Sequence, residues 1–124
     1  MMLQPFAPEI VTEGEWSFLF FSGEFSHAVC KTPAQGDYRI QHYHGRRYTH
    51  VTPTPQQLEQ ARQVMESLPQ IPAYGRVDGI MRNGKLLVME VELIEPFLYM
   101  LPDEDAVTRA AAALANTVKA CSGR

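Results

Sequence analysis

Cysteine is scarce in this chain. Cys30 and Cys121 are the only two among 124 residues, too few for a disulfide framework, and no Cys/His spacing suits zinc. A reducing, cytoplasmic setting is therefore expected. An excess of positive charge is also missing. The formal net charge is -3, which argues against nucleic-acid binding driven by charge. No apolar run is long enough to span a membrane. Met1-Met2-Leu3-Gln4-Pro5 has neither the charged region nor the apolar stretch of a signal peptide. Glycines are isolated: Gly14, Gly23, Gly36 and Gly45 make no phosphate-binding fingerprint. Ser17, Ser22 and Ser26 have no His or acid at a recognisable spacing, so no hydrolase triad is indicated.

What is present is apolar enough to fold. Hydrophobic residues make up 45% of the chain, and this length fits a single domain, residues 1–124, with a modest core. Glu15 to Phe21 reads as an aromatic-rich strand, and Ser22-Gly23 turns it into a second arm, Glu24 to Lys31. Trp16, Phe18, Phe20, Phe21 and Phe25 are expected in the core. Asp37 to Tyr43 reads as extended, and His44 to Pro53 as irregular. Thr54-Pro55-Gln56-Gln57 opens a helix with an N-cap, a proline at the first turn and a capping box. Leu58, Ala61, Met65 and Leu68 form its apolar stripe. Asp103 to Lys119 is an alanine-rich helix with Val107, Ala110, Ala111, Leu114 and Val118 expected on its buried side. The order strand, strand, strand, helix, strand, strand, helix offers no pair of parallel crossovers. It predicts an α+β fold with a mainly antiparallel sheet and two helices packed on one face.

The chemistry concentrates in a hairpin made of Ala73 to Met81 and Leu86 to Leu93. Glu90 and Glu92 alternate onto one face of their strand. A two-residue Asn83-Gly84 loop would put Asp78 on the face of Met89. A three-residue loop, Arg82-Asn83-Gly84 with Gly84 at positive φ, pairs Met81 with Lys85. It gives one face Val77, Met81, Leu87, Met89, Val91 and Leu93. The other face receives Arg76, Asp78, Ile80, Leu86, Val88, Glu90 and Glu92. Register follows burial, so the three-residue loop is expected. Asp78, Glu90 and Glu92 then converge as ligands for a hard divalent cation such as Mg2+. A solvated, charged strand face is the competing reading. Lys31 and Arg39 flank the Pro-Ala-Gln-Gly-Asp loop, where they suit either phosphate oxygens or ordinary surface charge. His42 and His44 alternate on an extended segment, as metal ligands or as a solvated strand end.

These residues resemble a known family. Met89-Glu90-Val91-Glu92 followed by Ile94-Glu95-Pro96, with Arg76-Val77-Asp78 upstream, is similar to the C-terminal half of an ATP-grasp domain, nearest the glutathione-synthetase and RimK-like ligases. Leu3-Gln4-Pro5-Phe6 resembles the hinge strand of that family. Phe25 to Lys31 and Gly36 to Gln41 resemble its hairpin and phosphate loop. The resemblance runs from about Met2 to Met100.

It implies that ATP phosphorylates a small carboxylate and that an amine or thiol then displaces phosphate. It implies ATP and Mg2+ as cofactors, with Gln4, Pro5 and Phe6 lining the adenine pocket. Lys31 and Gln41 would sit near the phosphates, Arg39 would act catalytically there, and Asp78, Glu90 and Glu92 would hold the metal. The chain departs from the family where Glu92 replaces a common Asn and where His44-Gly45 replaces paired glycines. The expectation is also that the N-terminal half and substrate domain are absent, so that a second copy or a partner chain covers the missing half. Two functions follow as alternatives: part of a carboxylate ligase that is inactive alone, or a remnant serving as an interaction module. Neither nucleic acid nor membrane is expected as a partner.

Overall fold

The computed structural model describes residues 5, 7–9, 13–32, 47–100 and 103–123. Strands β1 (Glu15–Phe21) and β2 (Glu24–Thr32) form the first hairpin. Strand β3 (Arg47–Val51), helix α1 (Pro55–Glu66), strands β4 (Tyr74–Arg82) and β5 (Lys85–Glu92), and helix α2 (Glu104–Ser122) follow. The five strands make one sheet in the order β3-β2-β1-β4-β5, and every neighbouring pair is antiparallel. The α+β class and the element order are as the sequence predicts. The third strand differs: it lies at Arg47–Val51, inside the stretch read as irregular. Tyr48, Thr49, His50 and Val51 are mostly β-formers, and they pair with β2 from Val51 opposite Ala28. The expected extended segment Asp37 to Tyr43 lies outside the described residues.

β1 explains the layering. Its run Phe18-Leu19-Phe20-Phe21 is buried throughout, so both faces of the sheet's central strand need cover. One face carries Phe18, Phe20, Ala28, Val77 and Met81, packed against Ala61 and Met65 of α1. The other carries Leu19 and Val29 beneath Tyr99, and Phe21 beneath Ala110 and Ala113 of α2. The two helices therefore cover opposite faces, where the sequence reading had them on one.

α1 begins as its sequence predicts. Thr54 Oγ1 accepts from the Gln57 amide at 3.2 Å, and Gln57 Oε1 accepts from the Thr54 amide at 2.9 Å. Ala61 and Met65 of the expected stripe are buried. α2 turns differently. It buries Ala106, Ala110 and Ala113, while Val107, Leu114 and Val118 are 45%, 48% and 64% exposed. Phe21, Tyr74, Leu98 and Met100 already fill the space beneath it, and only an alanine face lets the helix come that close.

The β4–β5 hairpin corrects the predicted loop. Arg82 pairs with Lys85, leaving the two-residue loop Asn83-Gly84, with φ of 53° and 77°. Both residues at positive φ fit the right-handed twist of the flanking strands. A β-bulge at Met89 then shifts the register. Gly79 faces Val88, and the next residue, Asp78, faces Glu90. The bulge returns Asp78 to the face of the glutamates despite the shorter loop. The shorter loop, for its part, sets Leu86 opposite Met81 on the α1 side, where it packs on the main core, whereas the predicted register gave that side Leu87.

Candidate metal and phosphate site

The site lies on the Leu19–Val29–Tyr99 face. Glu90 stands opposite Asp78, and Glu92 opposite Arg76. One carboxylate oxygen from each of Asp78, Glu90 and Glu92 lies within 4.8 Å of the others. Asp78 is buried, Glu92 half-buried and Glu90 exposed, so the cluster runs from the sheet interior to its surface at edge strand β5. Three hard oxygen donors at this spacing fit Mg2+, which takes carboxylates together with waters or phosphate oxygens.

Cations already attend the cluster. Arg76 Nε donates to Asp78 Oδ1 and Oδ2 at 2.9 and 3.0 Å, and Nη2 donates to Oδ2 at 2.8 Å. The same Nη2 lies 2.5 Å from Glu92 Oε2. Nη1 donates to the Phe97 carbonyl at 3.0 Å. Burial by itself would lower the Arg76 pKa, but the hydrogen bonds and charge of Asp78 outweigh it and hold the pKa above its usual value. From β1, opposite Asp78, Ser17 Oγ donates to Asp78 Oδ1 at 2.5 Å.

Lys31 is buried rather than reaching outward. Its Nζ lies 3.5 Å from Glu15 Oε1 and 3.9 Å from Asp78 Oδ2. Burial raises the Glu15 pKa, and the charge of Lys31 only partly opposes it. The Tyr99 ring roofs the two cations, with its centroid 5.6 Å from Lys31 Nζ and 5.6 Å from Arg76 Cζ. Tyr99 holds a positive φ of 48°, a position that turns the chain after β5 back over this face. A second tether fixes the same segment: His27 Nε2 donates to the Leu98 carbonyl at 2.8 Å, while Nδ1 lies 2.7 Å from Ser26 Oγ.

Of the residues singled out in the sequence, Asp78, Glu90, Glu92 and Lys31 come together. Pro5 is exposed. Gln4, Phe6, Arg39 and Gln41 lie outside the described residues, as do His42 and His44. Sequence reasoning gave no role to Arg76, Ser17, Glu15 or Tyr99. Arg76 carried a signal, since it stands two residues before Asp78 on the same strand face. Ser17 and Glu15 become visible only through their cross-strand partners.

No protein-family model matches the chain, and no curated protein matches it. Solved structures do. D-cycloserine synthetase DcsG is 28% identical with a TM-score of 0.76, the match covering 92% of this chain and 41% of that one. D-alanine--D-alanine ligase from Bacillus anthracis, complexed with ATP, is 16% identical with a TM-score of 0.59, covering 83% of this chain and 37% of that one. Macrocyclase MdnC from Microcystis aeruginosa MRC, bound with precursor peptide MdnA, is 14% identical with a TM-score of 0.54, covering 81% and 32%. The chain thus spans well under half the length of these proteins. The latter two likenesses concern the fold alone.

Proposed function

We propose that this chain, which folds as part of an ATP-grasp ligase, supplies the Mg2+ and phosphate side of a ligase cleft. The reaction joins a small carboxylate to an amine or thiol through an acyl phosphate. The observation that carries this reading is the convergence of Asp78, Glu90 and Glu92 within 4.8 Å on a fold shared with DcsG. In this reading the three carboxylates hold Mg2+, which offsets charge on the phosphates of ATP. Before the metal enters, Lys31 and Arg76 hold Asp78 in place. Arg39, Gln41, Gln4, Pro5 and Phe6 keep the roles that the family resemblance implies.

Positioning ATP and a nucleophile together needs a closed cleft. We assign the other wall to a further protein part, either the complementary half or a second copy of the chain. Alone, the chain binds Mg-ATP weakly and turns nothing over. A titration with Mg-ATP followed by amide NMR tests this. Shifts centred on β4, β5 and Lys31 are expected, reduced in Glu90→Gln and Glu92→Gln. Robust ATP turnover by the isolated chain contradicts the half-cleft.

The second reading is an interaction module without chemistry. The exposed side chains of Val107, Leu114 and Val118 on α2 favour it. Absence of any response to millimolar Mg2+ would leave it as the better account.

A further inference from the structure

We propose that Arg76 is a resident counter-ion of the carboxylate cluster, which a divalent cation displaces, and that its departure releases one tether of the chain after β5. The inference rests on the metal reading above and adds what must happen inside the protein for a metal to enter.

Three observations carry it. First, Asp78 has little capacity left. Its Oδ1 receives Ser17 Oγ at 2.5 Å and Arg76 Nε at 2.9 Å, and its Oδ2 receives Arg76 Nη2 at 2.8 Å. A carboxylate offers about four lone-pair sites in all, and the remaining side of Oδ2 faces Lys31 at 3.9 Å. Second, a single nitrogen spans the cluster. Arg76 Nη2 touches an oxygen of both Asp78 and Glu92, so it fills the position between two of the three candidate ligands. A metal bridging those carboxylates and a guanidinium bridging them compete for the same oxygens. Third, Arg76 has no slack. It is 2% exposed, and all three of its nitrogens are engaged: Nε and Nη2 on carboxylates, and Nη1 on the Phe97 carbonyl.

Glu90 is the entry point. It is exposed, and among the described residues it makes no ion pair at all. A cation captured first by Glu90 brings two charges to a cluster where Arg76 supplies one. Lys31 can stay, because it acts at longer range and is held by Glu15. Arg76 cannot leave Asp78 and Glu92 without moving Nη1, so its hydrogen bond to the Phe97 carbonyl breaks. The backbone around Leu98 and Tyr99 then keeps its bond to His27 and loses its tether to Arg76. Metal entry is in this way coupled to the segment that roofs the site.

The test uses Mg2+ alone on the full chain. In the wild type, the Arg76 Nε–H resonance and the Leu98 amide are followed by NMR during a Mg2+ titration. Both should move in step with the Glu90 and Glu92 amides, with one common midpoint. Calorimetry then compares wild type with Arg76→Gln, which should bind Mg2+ about tenfold more tightly or better, because a charge-assisted fork no longer has to be broken. Glu90 and Glu92 responding while Arg76 Nε–H stays fixed overturns the displacement and leaves the metal reading intact. Equal or weaker Mg2+ binding by a folded Arg76→Gln does the same. If that variant does not fold, the wild-type titration decides. No response to Mg2+ in either protein overturns both.

Discussion

Replacing Gly79 by alanine drives a methyl group into the β4–β5 ladder at the point where the site is aligned. A Cβ on Gly79 would lie 2.4 Å from the Leu87 carbonyl oxygen and 2.8 Å from Leu86 Cδ1. The first neighbour is backbone and cannot rotate away. Overpacking of this kind costs about 1–3 kcal/mol, and a backbone obstacle places it near the upper end. The unfolded chain loses entropy on the same substitution, which returns somewhat under 1 kcal/mol. The net loss is then about 2 kcal/mol, or roughly 8 °C in Tm for a domain of this size.

Gly84→Ala is the control. Nothing lies within 4 Å of its Cβ, but its φ of +77° carries a left-handed penalty of about 1 kcal/mol. Urea unfolding followed by fluorescence of Trp16 measures both. Gly79→Ala should also shift the amides of Asp78 and Glu90, because the bulge that sets them opposite each other is the feature displaced. Gly84→Ala should disturb only the turn. A Gly79→Ala protein within about 0.5 kcal/mol of wild type, a change typical of featureless surface sites, would refute the reasoning about the bulge.

Other expected outcomes follow from single contacts. Ser17→Ala removes a donor from a buried carboxylate and should cost about 1–3 kcal/mol in urea unfolding, with Mg2+ affinity also changed because Asp78 is less fixed. Thr54→Ala removes one arm of the α1 capping box and should cost about 1 kcal/mol, leaving the amide shifts of β4 and β5 untouched. His27 has a pKa held below 6.5, chiefly by burial and despite its bond to the Leu98 carbonyl. The unfolded chain therefore binds the proton more readily than the folded one. Stability associated with this residue is present above about pH 6.5 and is lost as pH falls through the lower folded-state value. His27→Gln should flatten the pH dependence of Tm below neutrality, and an unchanged slope would exclude His27 as its source.

Local signals in the sequence led directly to the structure where chemistry and periodicity agreed. The Thr54 cap, the Ser22-Gly23 turn and the β1 strand rest on nearest neighbours in the chain, and they appear as read. Failures arose where tertiary packing chose between options that local pattern left equal. On α2, two apolar stripes were available. The alanine stripe won because Phe21, Leu98 and Met100 had already taken the volume a larger side chain would need. In the β4–β5 hairpin, face matching correctly put Asp78 with the glutamates, but by the wrong device. A longer loop was inferred where the molecule uses a short loop and a bulge, and Gly79 was the residue that could have revealed it. Among candidate ligands, the carboxylates were legible from strand alternation. Their cationic partners needed the fold, since Lys31 on β2 reaches Asp78 on β4 only across the intervening strand β1.

The central claim is that Asp78, Glu90 and Glu92 form a divalent-metal site. Crystals of the full chain grown with Mn2+, measured for anomalous scattering, test it directly. The account predicts an anomalous peak on the β4–β5 face, bonded to oxygens of all three residues at about 2.0–2.2 Å and absent from the Glu90→Gln, Glu92→Gln double variant. A wild-type map with no peak there at saturating Mn2+ would contradict it.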